Sequence, residues 1–202
     1  MPLPCAGWRH GDPVTAGPDQ PGPSALPGVR FGSVTRFEDT RGVFRELWRA
    51  SASSPDARFA QSNFSSSAPG VLRGLHLHQR QDDHWVVVAG HALVALVDVR
   101  PMLAHERPAS APLVETRELR ADDWVDIPVG VAHGFLALEP LDLIYFVTNE
   151  YDGTDELGFA WDDVLAGVPW PRIDHTEDGR PILSERDRTN PSLVDLVARL
   201  RA

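Results

Sequence analysis

Short apolar runs, broken roughly every ten residues by turn-forming clusters, constrain the fold of this chain more than any other feature. HWVVVAGHALVALVDVR (84–100), DWVDIPV (123–129), HGFLALE (133–139) and DLIYFVTNEY (142–151) are rich in β-branched and aromatic residues. Gly, Pro, Asp and Asn separate them, as in an all-β sandwich or barrel. Between the runs, no segment of helical period exceeds two turns, which excludes a βαβ architecture.

The body is expected over residues 28–188, and NPSLVDLVARLRA within 189–202 reads as a C-terminal helix packed on it. Ser192 is its cap, and Leu193, Val194, Val197 and Leu200 form one apolar stripe. SPDARFAQ (54–61) is a second, short helical candidate starting from Ser or Asp. Residues 1–27 hold seven prolines and no hydrophobic period. Such a stretch buries too little apolar surface to offset its ordering entropy, so a mobile arm is expected, with Trp8 placed to dock on the body.

Charge and cysteine usage narrow the function classes. The 202 residues carry a net charge of -10, which argues against a nucleic-acid binder or an anionic-membrane binder. No apolar run approaches the roughly 18 residues of a membrane span, and the N-terminus has no signal-peptide core. The single cysteine, Cys5, excludes an intramolecular disulfide framework and fits a reducing, cytoplasmic compartment. All 19 basic residues are arginine, so an anionic ligand has to be held by a few placed guanidinium groups.

The most informative stretch is GVLRGLHLHQRQDDHWVVVAG (70–90). In a strand over Leu72–His78, alternation turns His76 and His78 to one face and Arg73 and Leu75 to the other, unless the strand bends at Gly74. Further on, a Pro-x-Gly turn in DIPVGVAHGFLAL (126–138) leads to His133. A lone histidine is more often a satisfied core residue than a ligand. Three of them, with Asp83 nearby, are material for a site inside a small barrel.

Several pieces follow one another in the order and spacing of a known family: RGVFRELW (41–48), FAQSNFSSSAPGVLRGLH (59–76), VAGHALVALVDVR (88–100), IPVGVAHGFLAL (127–138), YFVTNEYD (145–152), WDD (161–163), WP (170–171) and LSERDR (183–188). Together they resemble the dTDP-4-dehydrorhamnose 3,5-epimerases, over nearly the whole body. The resemblance implies a cupin-type double-stranded β-helix, or jelly-roll, barrel and no dissociable cofactor. It implies a homodimer acting on a dTDP-4-keto-6-deoxyhexose. The reaction it implies inverts C3, C5 or both by removing a proton beside the C4 ketone and returning one to the opposite face. Such chemistry needs a base, an acid across the ring and help for the enolate oxygen.

By the same resemblance, His76 is the base, Asp187 the carboxylate that pairs with it, and Tyr145 the acid. Arg73 meets the diphosphate, and Gln61, Ser62 and Asn63 lie on a nucleotide-contacting segment. Arg41, Phe44 and Glu46 reach the nucleotide from the neighbouring subunit. Tyr151, His133, Glu156 and Arg186 fall on further substrate-contacting positions.

The sequence departs from the family at one place that bears on the chemistry. Where the family carries a lysine that helps hold the C4 oxygen, this chain has Asp83, and it contains no lysine anywhere. As an anion Asp83 repels an enolate, so it has to be protonated, turned away, or neutralised by an arginine or a metal. His78 and His84 are the nearest alternative donors. A second reading follows: His76, His78, Asp83 and His133 resemble the ligand set of metal-dependent cupins, which would make the chain an oxygenase or sugar isomerase. The two readings compete for His76, because a nitrogen bonded to a metal cannot also abstract a proton. A third reading is a non-catalytic relative that binds a sugar nucleotide.

Overall fold

The computed structural model describes residues 13–14, 22–50, 58–104, 111–174, 176 and 178–202. Strands β1 (Pro13–Val14), β2 (Arg30–Ser33), β3 (Thr35–Asp39) and β4 (Gly42–Glu46) come first. The histidine region spans β5 (Gln61–Ser67), β6 (Leu72–Leu77), β7 (Asp83–Ala89) and β8 (His91–Asp98). After helix α1 (Arg100–Leu103) follow β9 (Leu113–Arg120), β10 (Asp123–Ile127), β11 (Val131–Ala137) and β12 (Leu141–Val147). The short β13 (Leu157–Gly158) and helices α2 (Glu185–Thr189) and α3 (Leu193–Arg201) complete the chain.

Two five-stranded sheets, in the orders β2-β10-β7-β12-β5 and β13-β6-β11-β8-β9, face each other, and β1, β3 and β4 form a small third sheet. The strand pairings are antiparallel, giving the expected all-β jelly roll. Strand β8 explains its own sequence. Ala92, Val94 and Leu96 join the core between the sheets. Ala95 and Val97 face outward, where Met102 of α1 and Leu193, Leu196 and Val197 of α3 cover them. A strand buried on both faces reads as a continuous apolar run rather than an alternating one.

Several expectations need correction. The run 84–100 is two strands, because Gly90 turns the chain with φ +88° against the backbone of Pro140. The arm does not extend to residue 27: Leu26 lies in the core at 2 % exposure. Ser24 donates to Glu115 (2.6 Å), and Arg117 donates to the carbonyls of Gly22 and Pro23 (2.6 and 2.7 Å). Pro13 and Val14 pair with β3. Trp8 lies outside the described residues. Of the short helical candidate, residues 58–60 are irregular and Gln61 opens β5, while 54–57 lie outside the described residues. Helix α3 forms with Ser192 accepting from the Asp195 amide (3.1 Å). Its buried stripe uses Leu196 instead of Val194, which is 54 % exposed. Leu193, Leu196, Val197 and Leu200 are the residues that share one helical face.

Strand β6 is irregular where it matters most. His133 pairs with His76 and Phe135 with Arg73, so one residue of β11 opposes two of β6. The extra residue is a β-bulge, and it breaks alternation. Gly74 makes it possible with φ +121°; a Cβ there would sit 2.6 Å from Gly134 Cα and 2.7 Å from the His133 carbonyl oxygen. Gly74→Ala therefore has to strain the backbone and part β6 from β11. It is expected to lower unfolding free energy by at least about 2 kcal/mol, and a denaturant melt matching that of the unsubstituted chain would show that the bulge tolerates a side chain.

Candidate active site

The inner faces of the two sheets are apolar over most of their area and turn polar at one end. There a cavity of about 650 Å³ opens to solvent, a size suited to a small organic ligand. Gln61, Asn63 and Ser65 of β5, Arg73 and His76 of β6, Asp83 and Trp85 of β7, His133 of β11 and Tyr145 of β12 line it. His78, Tyr151, Glu156, Arg186 and Asp187 add to the wall from loops and from α2. The bulge places Arg73 on the same wall as His76, where regular alternation turns it away.

An imidazole–carboxylate pair in the cavity joins two distant stretches of chain. Asp187 sits in the first turn of α2, whose cap Ser184 accepts from the Asp187 amide (3.1 Å) and donates its hydroxyl to Asp187 Oδ2 (2.9 Å). The other oxygen, Oδ1, lies 2.8 Å from His76 Nε2. A carboxylate accepts, so Nε2 carries the proton and Nδ1 keeps its lone pair. Burial opposes the charge on Asp187. The bonds and charge from His76, the Ser184 hydroxyl and nearby Arg186 outweigh it and hold the carboxyl below its usual range. Burial raises the Tyr145 phenol above its ordinary value; Arg73 opposes the shift, and Asp83 and Glu156 reinforce it. The phenol therefore keeps its proton.

Asp83, His78 and His133 form a separate buried group, with ligand-type atoms within 4.8 Å of one another. Asp83 is not turned away: it lines the cavity at 5 % exposure. Nor does an arginine neutralise it, since among the described residues its one ion-pair neighbour is His133, at 3.8 Å. Burial, against the pull of Asp83, lowers the His133 pKa to about 4, so that imidazole is neutral at pH 7.

Other expected residues are placed as follows. Glu156 and Arg186 pair at the cavity wall (2.6 Å). Ser62 is not among the lining residues, because alternation along β5 turns Gln61 and Asn63 inward and Ser62 outward. His84 is likewise on the far face of its sheet, with Asp126 at 2.6 Å and the Leu47 carbonyl at 3.3 Å, so it is not a donor to the cavity. Arg41 and the β4 residues Phe44 and Glu46 belong to the small third sheet and its turn, apart from the lining. Sequence reasoning passed over Trp85 and Gln81, which donate to Asp83 (3.0 and 2.8 Å). Alternation from Asp83 along β7 marks Trp85, while nothing in the sequence marks Gln81.

A jelly-roll barrel whose cavity holds an imidazole–carboxylate pair and a protonated phenol has the groups of a class of enzyme that moves a proton on and off carbon. The family profile described as dTDP-4-dehydrorhamnose 3,5-epimerase matches residues 23–195. The spore coat polysaccharide biosynthesis protein SpsL of Bacillus subtilis is 36% identical over 151 residues, covering 72% of this chain and 96% of its own. The dTDP-4-dehydrorhamnose 3,5-epimerase of Pseudomonas aeruginosa is 34% identical over 179 residues, covering 85% of this chain and 94% of its own. Among solved structures, the Mycobacterium tuberculosis rmlC epimerase superposes with a TM-score of 0.75 at 30% identity, covering 88% of this chain and 90% of that one. The chain belongs to the dTDP-4-dehydrorhamnose 3,5-epimerase family and is an enzyme of the isomerase class.

The His76–Asp187 pair has a pH signature. Because the folded-state pKa of Asp187 lies below its ordinary 3.8, the pair stabilises the fold above about pH 4. That stability is lost as pH falls through the lowered value. Asp187→Asn should flatten this acid limb and, at neutral pH, cut turnover about 1,000-fold or more. Superimposable acid-unfolding curves together with intact turnover would remove Asp187 from the base.

Proposed function

We propose that the chain inverts C3, C5 or both of a dTDP-4-keto-6-deoxyhexose. The observation that carries this reading is the 2.8 Å contact of His76 with Asp187 in the cavity that Tyr145 also lines. His76 Nδ1 removes the proton beside the C4 ketone, and the electron pair moves onto the ketone oxygen. Asp187 stabilises the imidazolium that forms. Tyr145, kept protonated by burial, delivers a proton to the other face of the enolate. Arg73, anchored by its Nε on Ser67 Oγ (3.1 Å), supplies a guanidinium for the diphosphate.

The assembly proposed is a homodimer, in which Arg41, Phe44 and Glu46 reach the nucleotide held by a second copy. Their place on the third sheet, apart from their own chain's cavity lining, supports this arrangement. A cytoplasmic location is proposed with it; among the described residues, no helix is long and apolar enough to cross a membrane.

Exchange in deuterated water, with the ketosugar nucleotide followed by NMR, tests the reading. Deuterium at both carbons marks a 3,5-epimerase, deuterium at one marks a mono-epimerase, and none at either removes the assignment. Tyr145→Phe separates the two faces: His76 still washes deuterium in from its own side, while inversion falls about 100-fold or more. Inversion at the unsubstituted rate in that variant would take Tyr145 out of the mechanism.

A further inference from the structure

The proton transfers above leave one demand unmet, the charge that develops on the C4 oxygen. Three buried side chains in the same cavity have the opposite deficit, acceptor atoms with no cation. His78 Nδ1 lies 2.6 Å from the Asp155 carbonyl and His133 Nδ1 lies 3.0 Å from the Val131 carbonyl. Carbonyls only accept, so both imidazoles carry a proton on Nδ1, which turns Nε2 to the cavity side as the nitrogen that can offer a lone pair. Among the described residues, neither Nε2 has a hydrogen-bond donor facing it. The third member, Asp83, takes one donor on each oxygen, Gln81 Nε2 at 2.8 Å and Trp85 Nε1 at 3.0 Å. Those donors fix the carboxylate and leave further lone pairs open. A buried carboxylate facing two imidazole lone pairs is costly unless a positive charge sits between them.

The geometry points to a divalent transition-metal ion held by His78 Nε2, His133 Nε2 and Asp83, whose open coordination positions take the C4 oxygen of the substrate. This role rests on the epimerase reading; the site does not. Two neutral imidazoles and one carboxylate suit Zn²⁺, Fe²⁺, Mn²⁺ or Co²⁺, and three protein ligands leave room for an exogenous oxygen. The ligand atoms already lie within 4.8 Å. Bonds near 2.1 Å need edges of about 3 to 3.5 Å, a contraction within reach of small side-chain rotations. The surrounding contacts are those of a built site: each imidazole donates its Nδ1–H to a backbone carbonyl, and Gln81 and Trp85 hold the carboxylate. His76 stays outside the set, its Nε2 committed to Asp187, so base and ion work side by side. In the reaction the proton passes from carbon to His76 Nδ1, the electron pair passes to the C4 oxygen, and the ion neutralises it as a Lewis acid. No oxidant is consumed.

The full chain, stripped by a chelator and titrated with Zn²⁺ alone and Co²⁺ alone, tests the site directly. One equivalent per chain is expected, with a visible Co²⁺ spectrum. His78→Gln and Asp83→Asn should each weaken binding more than about 100-fold, beyond the loss from removing an outer-shell partner. His76→Gln should leave it unchanged. No saturable binding by the unsubstituted chain overturns the site whether or not the variants fold, as does binding that depends on His76 and not on Asp83. For the role, the metal-free enzyme should exchange hydrogen about 100-fold more slowly and recover on refilling. Full-rate exchange without metal overturns the role while sparing the epimerase reading. An ion-loaded chain that exchanges nothing overturns the epimerase reading and leaves the three-ligand site standing.

Discussion

The hydrogen bond between Asp187 and His76 is the contact on which the rest of the site depends. It ties a short helix near the C-terminus to a central strand more than a hundred residues earlier, at 2.8 Å. It also selects the imidazole tautomer, with the proton on Nε2. Ser184 holds the remaining carboxylate oxygen at 2.9 Å, so the pair is oriented by a helix cap. Because the same helix turn brings Arg186 to Glu156 at 2.6 Å, part of the cavity wall and the carboxylate of the pair come from one local structure.

Polar chemistry concentrates where the two sheets stop packing against each other. Trp85, Phe135 and Leu143 belong to the core and also line the cavity, so the floor of the site is the end of the hydrophobic interior. Burial there sets the protonation states: it keeps the phenol of Tyr145 protonated and the ring of His133 neutral.

Much of this was legible in the sequence, and the failures have physical causes. The spaced β-branched runs identified the class of fold, while Gln61, Ser62 and Asn63 were marked only by the family resemblance, and the structure turns two of the three inward. Alternation along β5 and β7 sets aside Ser62 and His84, which occupy the outward parity of those strands. Arg73 broke the rule in the other direction, because a bulge changes parity and only the register of both strands reveals it. Leu26 was hidden by its proline-rich surroundings, since composition averages over a segment while burial is decided residue by residue. The separation of His76 from His78, Asp83 and His133 depended on which ring nitrogen each backbone carbonyl or carboxylate claims. No spacing rule carries that information.

The irregularity at Gly74 also sets the ruler of the pocket. Arg73 and His76 are three residues apart on one strand, an odd interval that in a regular pleat assigns them to opposite sides. Were the strand regular over the same three-residue interval, without the bulge, the guanidinium would swing through to the helix-covered side of the sheet. His76 would then keep its place while the cavity lost the guanidinium beside it.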